Sequence, residues 1–408
     1  MSSAELSPMT PSRAFAITLG LISLITPLAV HLFFPVIPAV KVALGLSDAH
    51  AQFTFSIALF GMAFATLFYG SLSDRYGRRP MLLSGLSLFL IGSVISAMAE
   101  TANTLLLGRL VQAIGAGCAL TLVRAIARDA YRADQLVKAI AYLTMFGTLG
   151  PMVSPFIGGL LTDIFGWRSV FGFALVAGAA ITLTAYFVMA ETHPPAKRDK
   201  SGEGMIQAFA ALFRRLRFNA FVLNTGFNTG AFMVMASASA SLMTELLHRP
   251  ATEFGLYFLL FPVGFFAGNF ISTRIGNRAS IEAMVLSGSI LAVVTVATQA
   301  VVVANGWILP ATLFIPGFFI TMAQGISMPY AQVGAMAEVP RFAGTAAGIG
   351  VFMQNFCAAV FSQLYGMFAD GTARPMALIA VLCGTLTLIV GTIPMLQKQF
   401  GRGTANVR

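Results

Sequence analysis

Gly70-Ser71-Leu72-Ser73-Asp74-Arg75-Tyr76-Gly77-Arg78-Arg79 is the stretch on which the reading of this chain turns. Three arginines and one aspartate fall within six residues of a protein that is only 10% charged. The knot separates two long apolar segments, at 54–73 and 80–99. Ionised side chains are costly inside a bilayer, so such a knot belongs where a membrane helix leaves lipid for water. The plainest reading is a loop whose positive charge sets topology. The spacing of glycine and aspartate around the arginines goes beyond that.

Composition outside the knot agrees. The chain has 408 residues, 57% of them hydrophobic, with 36 phenylalanines and a mean hydropathy of +0.82. That excludes a soluble globular domain. A spanning helix needs about 20 mostly apolar residues. Twelve segments qualify, at 14–40, 54–73, 80–99, 103–123, 138–162, 169–189, 219–244, 253–273, 281–304, 307–333, 343–368 and 375–396. The first is too long for the apolar core of a cleavable signal, about 7–15 residues, and no small-residue cleavage site follows it. Cys118, Cys357 and Cys383 all fall inside spans and far apart, which implies neither a disulfide framework nor a metal site.

The net charge of +10 could suggest a nucleic-acid partner. Its distribution argues otherwise. With a cytoplasmic N-terminus, 20 of the 25 Lys and Arg residues fall on the cytoplasmic side and Lys41, Arg168, Arg249 and Arg374 on the other. Arg109 lies within a span. This bias predicts both termini in the cytoplasm, and it makes the basic balance a matter of topology.

A polar stretch from His193 to Arg217, with Pro194-Pro195 and Lys197-Arg198-Asp199-Lys200, divides the chain. The expected organisation is a six-helix half over 1–192, a cytoplasmic central loop over 193–217, and a second six-helix half over 218–408. Met205 to Phe218 reads as an amphipathic surface helix. The halves echo each other faintly. Arg75-Tyr76-Gly77-Arg78-Arg79 returns as Arg274-Ile275-Gly276-Asn277-Arg278, and Gly159-Leu160-Leu161-Thr162-Asp163 as Gly366-Met367-Phe368-Ala369-Asp370. Parallel repeats of this kind place substrate near the bilayer midplane, at the repeat interface.

No nucleotide-binding loop is present, since no Gly-Lys pair occurs anywhere. No His/Cys cluster has metal spacing, and no Gly-x-Ser-x-Gly elbow appears. An enzyme is therefore not expected, nor a cofactor. The knot resembles the signature of the major facilitator superfamily, carried in the loop between spans 2 and 3. The resemblance implies an all-α integral membrane fold of twelve transmembrane helices in two pseudo-symmetric six-helix halves. It also implies a gating role for Gly70, Asp74, Arg75, Gly77, Arg78, Arg79 and Asp129.

Three further segments resemble the bicyclomycin-resistance-like drug:proton antiporters of that superfamily. Arg109-Leu110-Val111-Gln112-Ala113-Ile114-Gly115 is similar to the family's Arg-x-x-Gln-Gly motif in span 4, with Ala113 in place of the first glycine. The family ties this arginine to proton coupling; the alternative is an arginine snorkelling to the outer interface. Gly147-Thr148-Leu149-Gly150-Pro151-Met152-Val153-Ser154-Pro155-Phe156-Ile157-Gly158-Gly159 is similar to the antiporter motif of span 5. The first span matches the subfamily's Asp-x-Tyr-Leu-Pro segment, except that His31 stands where the aspartate is usual.

That exchange matters because all fifteen acidic residues fall in loops or near span ends. His31 is the mid-span group that titrates near neutral pH, so it is the candidate for proton coupling alongside Arg109. The alternative is a packed polar residue. Phe33, Gln112, Asn224, Asn228, Gln324 and Gln354 are candidates for lining a substrate cavity, although interhelical hydrogen bonding accounts for such amides equally well.

The function these readings imply is proton-coupled efflux of amphipathic, drug-like small molecules by a monomer in the bacterial inner membrane. The proton gradient supplies the driving force, and the partners are lipid, substrate and protons rather than nucleic acid. Two other functions fit the same fold: a carrier of a small metabolite, and a membrane sensor that moves no solute.

Overall fold

The computed structural model describes residues 12–193 and 204–405. Residues 194–203, the centre of the expected loop, lie outside the described residues. Twelve helical spans cross the bundle: α1 (Arg13–Ala43), α2 (Asp48–Tyr76), α3 (Arg78–Ala97), α4 (Ala102–Ala130), α5 (Ala133–Phe165), α6 (Arg168–Val188), α7 (Leu216–Ser241), α8 (Ala251–Ile275), α9 (Ile281–Ala304), α10 (Pro310–Glu338), α11 (Ala343–Phe368) and α12 (Arg374–Ala405). Eleven of the helices are long and apolar enough to cross a membrane. The exception is α7, which carries Asn224, Thr225, Asn228, Thr229, Ser237 and Ser239, all buried. A helix surrounded by other helices need not be apolar all round, because its polar groups find partners in protein rather than lipid.

We call the end of the bundle that carries Gly77 and Gly276 the motif end, and the opposite one the distal end. The two glycines sit at equivalent turns, after α2 and after α8. Their φ values of 103° and 50° are open to glycine at little cost. The sequence echo thus reappears as an echo in backbone geometry.

Packing repeats as well. In the first half α3 and α2 pack on α4, α3 on α6, and α1 on α5. In the second half α9 and α8 pack on α10, α9 on α12, and α7 on α11. Close approach depends on missing side chains. A Cβ added to Gly92 of α3 would lie 2.2 Å from the Gln112 nitrogen of α4, and one on Gly264 of α8 would lie 2.1 Å from the Phe318 oxygen of α10. Tight backbone contact is how membrane helices associate without a hydrophobic gain.

The stretch expected as a surface helix to Phe218 is shorter. A helix runs Gly204–Phe213 and stops; α7 then starts at Leu216. Leu212 is buried against Phe218, Phe221 and Val285, which docks the short helix beneath the second half. The three cysteines are free and buried.

Candidate functional site

At the motif end, Arg78 is the hub of the charged knot. Its Nη1 lies 2.7 Å from Asp74 and donates to the Ser73 hydroxyl at 2.5 Å; its Nε donates to Asp129 of α4 at 2.9 Å. The Arg78 backbone N–H donates to Glu191, just beyond α6, at 2.9 Å. Arg79 donates to the Tyr186 carbonyl of α6 at 2.9 Å and lies over that residue's ring. Gly77, with its positive φ, allows the sharp turn that brings Arg78 back onto Asp74. The structure therefore brings Asp74, Arg78 and Asp129 together, all within the first half. Gly70 and Arg75 lie on the same helix end outside this cluster, Arg75 over Tyr76.

The second half has its own ionic cluster at the same end. Arg217 of α7 lies 2.9 Å from Glu282 of α9 and 3.0 Å from Glu338 of α10, and Lys398 of α12 lies 2.7 Å from Glu282. Sequence reading missed it, because the echo at 274–278 keeps the arginines and the glycine but not the acid.

Span α1 is broken where chemistry is expected. It consists of Arg13–Ile22, Ile25–Val30, a 3₁₀ turn His31–Val36 and Ile37–Ala43. Pro27, Pro35 and Pro38 each remove a backbone donor, which accounts for the interruptions. His31 opens the 3₁₀ turn. Its ring meets Phe34 at 5.7 Å and Phe258, from α8 in the other half, at 6.4 Å, both edge-on. Its Nδ1 is buried without a hydrogen-bond partner among the described residues.

Arg109 points elsewhere. It is 1% exposed, so it does not snorkel to an interface. Its Nη1 donates to the Ala29 carbonyl at 2.8 Å and to Gln112 Oε1 at 2.6 Å, and its Nε donates to the Thr54 carbonyl at 3.2 Å. Gln112 passes the chain on to Ser93 at 2.9 Å. The guanidinium lies 4.1 Å from the centre of the Phe33 ring. A desolvated cation–π contact of this kind is worth about 2 kcal/mol. Arg109, Gln112 and Phe33 thus tie α1, α2, α3 and α4 together inside the first half. His31 is not among the groups that Arg109 contacts.

The proline–glycine motif of α5 works as a ratchet of close contacts. A Cβ on Gly150 would lie 2.3 Å from Pro27, and one on Gly158 would lie 2.2 Å from the Leu32 carbonyl, so both seat α5 against the broken α1. Gly159 faces the other half, where a Cβ would lie 2.3 Å from the Ala251 carbonyl of α8. Its echo Gly366 does the same in reverse, with a Cβ 2.4 Å from Gln52 of α2. The two repeated glycines thus each sit at a close contact between one half and the other. Gly147 faces open space, and Pro151 and Pro155 sit within α5.

Around these glycines the distal end is stitched shut. Asp163 of α5 accepts from the N–H groups of Ala251 and Thr252 at 3.2 and 2.8 Å and from the Thr252 hydroxyl at 2.6 Å, capping the start of α8. Lys41 bridges Asp48, at 2.5 Å, and Glu245 of the other half, at 2.7 Å. Ser56 donates to Gln363 at 2.7 Å, and Gln363 to the Ala49 carbonyl at 3.2 Å. Part-exposed ion pairs contribute at most about 1 kcal/mol each, which suits contacts made and broken repeatedly. α5 lies along the distal segment Ala251–Phe258 of α8 and only skirts Leu260–Ile275, the segment that runs to the motif end. Gly344 and Gly348 of α11 face open space there. The halves therefore close distally and part toward the motif end.

The remaining amides divide. Asn224 donates to Ser289 of α9 at 2.8 Å and to the Thr387 carbonyl of α12 at 2.9 Å, inside the second half. Gln324 donates to Thr229 at 2.9 Å, joining α10 to α7. Asn228 is 1% exposed with neither amide atom partnered, and Gln354 Nε2 is likewise unpartnered.

Comparison with known proteins accords with this architecture. Residues 19–362 match the sequence profile of the Major Facilitator Superfamily. The chain is 24% identical over 385 residues to a bicyclomycin resistance protein homolog of Haemophilus influenzae, covering 92% of this chain and 94% of that one. It is 26% identical over 383 residues to multidrug resistance protein D of Escherichia coli K12, with the same coverage. A solved structure of a D-xylose–proton symporter shares the fold with a TM-score of 0.73 at 15% identity, over 92% of this chain and 96% of that one.

Proposed function

The chain belongs to the Major Facilitator Superfamily, and from that premise we propose that it exports amphipathic, drug-like molecules in exchange for protons. It is a multi-pass membrane transporter, not an enzyme. The observation that carries the proposal is the match, over nearly the full length of both chains, to two proteins named for resistance to bicyclomycin and to multiple drugs. The Lys/Arg bias supports an inner-membrane orientation with the motif end and both termini in the cytoplasm. In that orientation the closed distal end faces outward and the protein is open to the cytoplasm, ready to load substrate for export.

His31 is the proposed proton carrier. It sits at the break of α1 with an unpartnered nitrogen and touches Phe258 of the opposite half, so a charge on its ring bears directly on the seam between the halves. Arg109 holds the surrounding helices at a fixed spacing. Asn228, Gln324 and Gln354, on α7, α10 and α11, are the amides proposed to meet substrate. Phe33, Gln112 and Asn224, buried within their halves, support the cavity walls. The Asp74–Arg78–Asp129 cluster is already formed with the motif end open, so it is proposed to act as a latch by shaping the first-half surface that the second half meets when the distal seam opens.

The test is accumulation of a panel of fluorescent dyes and antibiotics, bicyclomycin included, in cells with and without the protein. Lower accumulation of several of them, restored by collapsing the proton gradient, is the expected result. Unchanged accumulation of the whole panel contradicts the export reading and favours a metabolite carrier. Asp74→Asn is expected to reduce export at least tenfold while the protein still reaches the membrane in normal amount. Parental export by that variant would remove Asp74 from the latch.

A further inference from the structure

The first half carries a cavity of about 470 Å³ that belongs to none of the elements above. It lies where α2 and α3 diverge over α4. Phe64, Phe68 and Leu72 form one wall, Met81 and Leu88 the other, and Ile114 part of the floor. Phe64 and Phe68 are about half exposed, so the groove opens sideways, away from the bundle axis, where the bilayer lies. Along α2 it runs from Phe60 to Leu72, about 18 Å at 1.5 Å per residue. That is close to the depth of one leaflet, half of a hydrocarbon core of about 30 Å.

Two polar features make the groove more than a crevice for any acyl chain. The first is Tyr69, which lines it and is 6% exposed. Its hydroxyl sits against α3, 3.0 Å from where a Cβ on Gly85 would be, and it has no hydrogen-bond partner among the described residues. The second is charge at the mouth. Arg75 is one turn beyond Leu72 and on the same face of α2. Arg78 is neutralised by Asp74 and Asp129, whereas Arg75 is exposed and, among the described residues, lies only over the Tyr76 ring.

An apolar slot one leaflet deep, with a free hydroxyl inside and an unneutralised arginine at its rim, matches a phospholipid. We propose that this groove binds one anionic phospholipid, with an acyl chain between α2 and α3 and the phosphate beside Arg75. Tyr69 supplies a donor for an ester carbonyl. The groove also reaches the moving seam. Phe60 and Phe64 line it and meet Phe352 and Phe356 of α11 in the other half edge-on, at 5.5–6.5 Å. A bound lipid therefore braces the side of α2 that meets α11 across the seam. The inference does not depend on the identity of the exported molecule.

The experiment uses the full chain in phosphatidylcholine vesicles containing 20 mol% phosphatidylglycerol, with bromine at mid-chain on a matched fraction of one lipid or the other. Trp167 and Trp307 are replaced by Phe, and a single reporter is introduced as Ser84→Trp in the groove, or Leu88→Trp if the first does not fold. At equal mole fraction, brominated phosphatidylglycerol is expected to quench the groove reporter at least twofold more than brominated phosphatidylcholine. Adding Arg75→Gln should abolish the difference. A control at Leu183→Trp, on the exposed face of α6, should show none. Equal quenching by the two lipids in the parent, a preference that survives Arg75→Gln, or the same preference at Leu183→Trp would each overturn the proposal.

Discussion

Gly159→Leu is expected to abolish transport and to leave the distal end unable to close. The glycine hydrogen faces the Ala251 carbonyl so closely that even a Cβ would lie 2.3 Å away, and the obstacle is backbone rather than a flexible side chain. The leucine forces α5 and α8 apart and pulls Asp163 off the N–H groups it caps. Each half is expected to remain intact, because the atoms nearest that Cβ all belong to Ala251 and Thr252 of the other half. Spin labels on Val42→Cys and Arg249→Cys, exposed on opposite sides of the distal seam, report the change. Their distance distribution should move to longer values in Gly159→Leu, while the protein folds and inserts. Gly366→Leu should act alike through Gln52. Parental distances together with parental flux in either variant would show that the glycine contacts are incidental.

Arg109→Ala is expected to cost about 3 kcal/mol or more, because it orphans the carbonyls of Ala29 and Thr54 and the Gln112 amide in a buried site. It also removes the ring contact with Phe33. Loss of the thermal unfolding transition at the parental temperature, together with loss of transport, is the expected outcome. Arg109→Lys separates charge from shape. One ammonium cannot reach three acceptors set in a fork. The lysine variant should therefore fold with reduced stability and transport at a lower rate, with its dependence on the proton gradient intact. Loss of gradient dependence in a folded Arg109→Lys protein would place Arg109 in the proton path rather than in the scaffold.

Most of the architecture is legible in the chain before any coordinates. Span number follows from hydropathy and the two-half organisation from the faint internal echoes, while the lysine and arginine bias predicts the orientation. One span nearly escapes: α7 falls below the apolarity of a lipid-facing helix, since it is enclosed by other helices and its Asn224 and Thr229 find partners on α9, α10 and α12. The repeats at Gly159 and Gly366 are visible as sequence, yet their meaning is not. Only the fold shows that both glycines face the opposite half. The distal stitches are hidden for the same reason. Lys41 and Glu245, like Asp163 and Thr252, are far apart in sequence and nothing local marks them as partners. Arg109, Gln112 and Asn224 attract attention as intramembrane polar groups. Their burial shows that such a residue is also retained where it ties helices together.

Proton coupling through His31 is the centre of the proposed mechanism. The most direct measurement is substrate flux in vesicles containing the purified protein, with an imposed pH gradient and no nucleotide, for the parent and for His31→Ala. The parent should move substrate only when the gradient is present, His31→Ala should lose that dependence, and His31→Asp should restore it. Gradient-driven flux in His31→Ala equal to the parent's, with the same pH dependence, would contradict the account and make His31 a packing residue at the break of α1.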